Sequence, residues 1–171
     1  NKVKTINLKG LSEIEELNFN SDTALHALDL SSCAKLKEFR AYGSGLEQID
    51  LSKCPKLEVA AVYNTKVTTL DFSNNPELIN VLADIKTLET VTFKNNDKLQ
   101  TLTVGGINLK TVNGIESLPG LTDLSYSYCP TETLTLENSK KLAKANISYS
   151  DKLKTLDLHK NIRLTDLTIT Y

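Results

Sequence analysis

Residues 36–56 read LKEFRAYGSGLEQIDLSKCPK, residues 57–77 LEVAAVYNTKVTTLDFSNNPE and residues 78–98 LINVLADIKTLETVTFKNNDK. Set above one another at a shift of 21, they place Leu36, Leu57 and Leu78 in one column and Leu51, Phe72 and Phe93 in another. Blocks of the form L-x-x-L-x-L continue this pattern from Val3 to Leu164, nearly every step being 10 or 11 residues, so that two blocks make one unit of 21 or 22. A fixed period of this length is the signature of a solenoid.

Each block alternates apolar and polar residues with period two, the pattern of a short half-buried strand. A single two-strand unit cannot bury its apolar side. Coiling sets the two apolar sides face to face, and stacking the coils continues the core along the axis. The expected architecture is a right-handed superhelix of short parallel strands with little or no α-helix. It has about 7–8 coils, roughly 4.8 Å apart, in a single domain over residues 1–171 with repeats beginning near 14, 36, 57, 78, 99, 121, 142 and 164.

Composition narrows the function classes. The net charge is -1, from 20 basic and 21 acidic residues, which advertises neither a nucleic-acid nor an anionic-membrane partner. No apolar run approaches the length of a membrane span. The chain contains no Met, so residue 1 is not a translation start and the chain reads as an excised part of a longer protein. It closes on LTDLTITY, a whole strand with no polar cap. Further sequence, a partner or self-association is therefore expected to cover Leu164, Leu167 and Ile169.

In isolation, IDLSKCPKLE (residues 49–58) suggests nucleophilic chemistry through Asp50, Ser52 and Cys54. The period removes that suggestion. Cys33, Cys54, Asn75, Asn96 and Asn161 fill one slot, and Asp29, Asp50, Asp71 and Asp157 another. A nucleophile has no reason to recur in every coil, whereas a corner with backbone groups to satisfy does. Stacked one coil apart, Cys33 and Cys54 lie within disulfide reach; a free, inward-facing pair is the expectation. The Asp row offers oxygens of the kind calcium prefers, but a solvated row opposed by Lys35, Lys53, Lys56 and Lys98 accounts for it. With two histidines and no Cys-x-x-Cys pair, no metal site and no cofactor are expected. Nor is an enzymatic activity.

The units LKEFRAYGSGL (36–46), LEVAAVYNTKV (57–67) and LTDLSYSYCPT (121–131) match the signature L-x-x-L-x-L-x-x-N/C-x-L, and the chain resembles leucine-rich-repeat proteins over residues 3–171. The half-unit TTLDFSNNPEL (68–78) is similar to the 21-residue repeats of secreted or surface-anchored proteins of Bacteroidetes-type bacteria. GIESLPGLTDL (114–124) resembles the short helical turn and following strand of internalin-type repeats. These resemblances imply an extracytoplasmic setting and a binding role, adhesion or host contact, with a protein as partner. A structural spacer or a glycan-binding module are the alternatives. The half-unit with the 10-residue step is expected to line the concave face, although the reverse assignment is open.

On that face the seventh and eighth positions of the units carry Tyr42, Tyr63, Tyr128, Tyr149 and Tyr171, five of the six tyrosines. Around the first pair, Arg40, Val59, Ala61, Leu82 and Ile85 make a candidate apolar patch, while cross-strand packing is the structural alternative. A second candidate is the unit at 99–120, where Gly105 and Gly106 leave bare backbone and Asn113 and Gly114 break the pattern of the other half-units.

Overall fold

The computed structural model describes residues 3–171, and these residues form a parallel β-solenoid. The strands in chain order are β1 (Glu16–Asn18), β2 (Glu38–Arg40), β3 (Val59–Ala61), β4 (Thr69–Asp71), β5 (Asn80–Asp84), β6 (Thr90–Thr92), β7 (Thr101–Gly105), β8 (Thr111–Asn113), β9 (Asp123–Ser127), β10 (Thr133–Thr135), β11 (Lys144–Ser148), β12 (Thr155–Asp157) and β13 (Asp166–Thr170). One eight-stranded parallel sheet runs β1-β2-β3-β5-β7-β9-β11-β13. The other half-units form a three-stranded sheet, β4-β6-β8, and a two-stranded one, β10-β12. The half-units with the 10-residue step therefore build the long sheet. Among the described residues the only helical segment is a 3₁₀ turn, Ile115–Ser117, where the internalin-like stretch lies.

Alternation accounts for the core. In β5, Val81 and Ala83 are buried while Asn80 and Leu82 are partly exposed on the other side. The block-initial residues Leu36, Leu46, Leu57, Leu78, Leu88, Leu99, Leu121 and Leu142 are fully buried, each contributing on the order of 2 kcal/mol by removal from water. Phe72 and Phe93 stack in the core with centroids 5.6 Å apart, filling the space between the two sides.

The corner after each short half-unit is a repeated hydrogen-bonded device. The backbone N–H groups of Cys33, Cys54, Asn75, Ser139 and Asn161 donate to the carbonyls of Leu30, Leu51, Phe72, Leu136 and Leu158. Asparagine adds bonds between coils. Asn75 Nδ2 donates to the carbonyls of Leu51 and Cys54, at 3.0 and 2.8 Å. Asn96 Nδ2 likewise reaches Phe72 and Asn75, and Asn161 Nδ2 reaches Leu136 and Ser139. Asn96 also accepts the Lys94 N–H through Oδ1.

The aspartates act one step earlier in the same turns. Asp29, Asp50 and Asp71 each accept the N–H of the serine two residues on, at 2.8–2.9 Å, and Asp157 accepts that of His159 at 3.1 Å. Lys35 and Lys98, expected opposite this row, pair instead with Glu13 and Glu77 of the preceding coil. The reason is register: a lysine lies one coil spacing from the equivalent glutamate. Lys37–Glu15, Lys110–Glu89 and Lys154–Glu132 follow the same rule.

Two outcomes follow from the ladders. Replacing the fully buried Asn96 by Ala removes three hydrogen bonds and should lower stability by about 2–3 kcal/mol; Lys98→Ala, at an exposed pair, should cost less than about 0.5 kcal/mol; urea unfolding of both variants measures the difference. The carboxyls of Asp29, Asp50 and Asp157 are held below their ordinary value by hydrogen bonds from Ser31, Ser52 and His159. A lowered folded-state pKa contributes stability above the unfolded value, near 4, that is lost as pH falls through the folded one. The urea midpoint should therefore drop below about pH 4. In the triple variant Asp29→Asn, Asp50→Asn, Asp157→Asn, which keeps an acceptor but cannot titrate, that drop should be shallower.

Candidate functional site

The long sheet, with eight strands against three and two in the others, presents one continuous outward face. Parallel register aligns equivalent residues in rows across the strands. One row is Arg40, Ala61, Leu82, Thr103, Ser125, Asn146 and Thr168. A second, at the strand starts, is Glu38, Val59, Asn80, Thr101, Asp123, Lys144 and Asp166. The amino-terminal part of the face is partly apolar, through Val59 and Leu82. Its carboxy-terminal part is polar and hollowed, a recess of about 330 Å³ lined by residues that include Thr103, Asp123, Ser125, Lys144 and Asn146.

Beyond the strand ends stand the tyrosines, in two pairs. Tyr42 and Tyr63 stack with centroids 5.1 Å apart and planes within 6°. Tyr128 and Tyr149 stack at 5.4 Å and 17°. Tyr42 is 38% exposed, Tyr149 53%, and Tyr171 is exposed one coil further on. The seventh and eighth positions, grouped on one face in the sequence, differ in direction in the structure. Tyr42 and Tyr63 continue the outward alternation of their strands. Tyr128 and Tyr149 follow at the next position, which by alternation faces the core.

A left-handed backbone keeps that second pair out of the core. Tyr128 and Tyr149 have φ of 56° and 50°, and Ser21, Gly43 and Asn64 hold the same position in other coils with φ of 59°, 63° and 55°. Each turns the chain, and Ser21, Asn64, Tyr128 and Tyr149 thereby point their side chains away from the core. Ile85 occupies this position without a positive φ, because a β-branched side chain is badly placed in the left-handed region. Its side chain continues the alternation into the core and is fully buried, so Ile85 leaves the candidate patch. Ala61 leaves it too: between Arg40 and Leu82 in its row, the residue is only 3% exposed. Arg40 is engaged by Glu38 on its own strand. The apolar surface that remains is Val59, Leu82 and the rings of Tyr42 and Tyr63.

The ladder residues lie away from this face. Cys33 and Cys54 are free and fully buried. Burial, with the neighbouring Cys33 thiol, pushes the Cys54 thiol up to about 11, and burial raises Cys33 as well. Both are thiols at neutral pH and poor nucleophiles. No group of three or more His, Cys, Asp or Glu side chains suited to a metal ion occurs among the described residues, and no helix is long and apolar enough to cross a membrane. Sequence reasoning missed Asn64, Asp84 and Lys86, which gather beside Gly106. The Gly105–Gly106 pair was the signal for that place, but it did not reveal what surrounds it.

No protein-family model matches the chain, and no curated protein matches it in sequence. Among solved structures, the functional domain of InlJ from Listeria monocytogenes, described as including a cysteine ladder, superposes with a TM-score of 0.64 at 21% identity. The superposition covers 99% of this chain and 42% of that one, so the chain spans less than half the length of that domain. The likeness shows the fold: a leucine-rich-repeat β-solenoid.

The two tyrosine pairs should respond differently to substitution. Tyr63→Ala loses a stack on a relaxed backbone, about 0.5–1.5 kcal/mol beyond its area. Tyr149→Asn loses a similar stack but releases a bulky residue from the left-handed region, a relief of about 1–2 kcal/mol. Thermal unfolding should show Tyr63→Ala destabilised and Tyr149→Asn equal to or more stable than the parent.

Proposed function

We propose that this chain is a non-enzymatic binding module that docks a protein partner on the outward, concave face of its long sheet, at a bacterial cell surface or after secretion. The observation that carries this reading is the Tyr42–Tyr63 stack standing beside Val59 and Leu82 on an eight-stranded face. Stacked tyrosines present a rigid contact area that loses little entropy on binding, and each ring carries a hydroxyl for a directional bond. The recurring asparagines and cysteines are spent on the corner, where their partners are backbone carbonyls of the same molecule or where burial keeps them as thiols. Residues that differ from coil to coil lie on the face. Adhesion or contact with a host protein is the role this arrangement suits, and the likeness in fold to the InlJ domain supports a repeat module of this kind.

The test uses beads coated with the chain, presented to epithelial and bacterial cells before and after surface proteolysis. Protease-sensitive binding is expected, and Tyr42→Ala combined with Tyr63→Ala should weaken it at least about tenfold, the loss of one or two interface anchors. Undiminished binding by a variant whose circular dichroism and melting are unchanged would sink the proposal, as would binding that proteolysis leaves intact.

A further inference from the structure

The structure assigns a second, separate site: we propose that the bay between Asp84–Lys86 and the Tyr128–Tyr149 stack binds one neutral pyranose unit of a glycan. The bay has a volume of about 270 Å³ and is lined by Asn64, Asp84, Lys86, Gly106, Tyr128 and Tyr149, with the hydroxyl-bearing Ser127 and Ser148 among the remaining walls. Beside it two consecutive positions, Gly105 and Gly106, carry no side chain, and the space a Cβ would take there is filled by neighbouring atoms. A Cβ on Gly105 would lie 1.9 Å from Ser127 Oγ, and one on Gly106 2.1 Å from the Ile85 carbonyl oxygen. The backbone of β7 thereby packs against its neighbours with nothing projecting into the space between the two tyrosine pairs.

The wall facing this gap is unusual for its backbone. The position of Tyr128 and Tyr149 takes a left-handed φ in three other coils, at Ser21, Gly43 and Asn64, and glycine and asparagine adopt it readily. A bulky aromatic there is held against its own preference, and such outliers concentrate where a side chain has a task other than folding. Two consecutive coils carry one, and the rings are stacked into a single platform.

The remaining groups fix the ligand class. The Asp84 carboxylate and the Lys86 ammonium form no ion pair with another described residue. The side chains of Asn64, Ser127 and Ser148 likewise make no hydrogen bond within the described residues. One negative and one positive group cancel, which favours a neutral ligand over a phosphate or a polyamine. Carboxylate, amide, ammonium and hydroxyls together offer both acceptors and donors, as adjacent sugar hydroxyls require. The electron-rich aromatic face accepts the polarised C–H groups of a pyranose. The volume lies near the lower end of ligand pockets, about 300 Å³, so a single ring fits and the rest of the glycan extends into solvent. The site is distinct from the Tyr42–Tyr63 face and does not depend on protein docking there.

The test is two-dimensional ¹H–¹⁵N NMR of the labelled chain titrated with methyl glycosides of glucose, galactose, mannose, fucose and N-acetylglucosamine, with glucuronate and inorganic phosphate as charged controls. At least one neutral glycoside should shift the amides of Gly106, Ile107, Ser127, Tyr128, Ser148 and Tyr149 saturably, with an affinity of roughly millimolar order. Asp84→Ala and Tyr149→Asn should each weaken that binding at least fivefold, the asparagine being chosen because it suits the left-handed backbone. Tyr42→Ala with Tyr63→Ala should leave it unchanged. The same spectra report whether each variant is folded. The proposal is overturned if no neutral glycoside moves those amides, if only the charged controls do, or if binding persists in folded Asp84→Ala and Tyr149→Asn proteins.

Discussion

Everything in this molecule depends on the backbone hydrogen bonds that join each coil to the next. A parallel strand has its partners only on neighbouring coils, so every coil must return to the same register or leave buried N–H and C=O groups unpaired. The 21- to 22-residue period is the chain length that meets this condition. The corner residues meet it where strands cannot: the asparagine amide at positions 75, 96 and 161 reaches two carbonyls of the preceding coil at once. Where the slot is Ser139, its Oγ makes one such bond, donating to the carbonyl of Leu118, the slot residue of the preceding coil. At Cys33, Cys54, Asn75, Ser139 and Asn161 the turn has a backbone bond of its own, to which the side chain adds, whereas at Asn96 the side-chain Oδ1 accepts the Lys94 N–H within the turn.

The same constraint divides the two sides of the coil. The long sheet is continuous through eight strands, whereas the opposite side is broken into sheets of three and two. The break falls at the 3₁₀ turn, Ile115–Ser117, entered through Gly114 at φ 81°. A Cβ there would meet the Phe93 carbonyl oxygen at 2.2 Å, so the departure from the strand pattern needs glycine. The break in strand pairing is confined to the side that carries the ladders. The face with the tyrosines keeps its register, and a regular, hydrogen-bonded platform is what a binding surface needs if its side chains are to be held in fixed relative positions.

Much of this was legible in the sequence because it depends on apolar spacing. The leucines at 36, 57, 78, 99, 121 and 142 mark the core, and the 10-residue step marks the half-unit that forms the long sheet. What escaped was decided by the sign of φ at one position per coil. Ile85 and Tyr128 stand at equivalent places with comparable bulk, yet one is buried and the other partly exposed, because only Tyr128 adopts the left-handed conformation. Apolar periodicity does not encode that difference. The lysines were misplaced for another reason: the partner of Lys98 lies 21 residues back, at Glu77, and opposite charge nearby in sequence is a poor guide when the nearest neighbours in space are one coil away.

The left-handed position also explains where this solenoid can vary its surface. Along a strand, inward residues are fixed by packing and outward residues have neighbours about 4.8 Å away on each side, close enough to leave the short side chain of Ala61 only 3% exposed. The position after the strand is freer, since a left-handed residue swings its side chain clear of the row. Asn64, Tyr128 and Tyr149 all use it. Two coils between them do not: Ile85 goes inward and Gly106 has no side chain. The aromatic projections are thereby separated by two intervening coils, three coil spacings or roughly 14 Å along the axis, with the unpaired Asp84 and Lys86 beside the gap. Recess and ridge on this edge thus arise from one backbone choice made differently in successive coils, without any change in the register that holds the coils together.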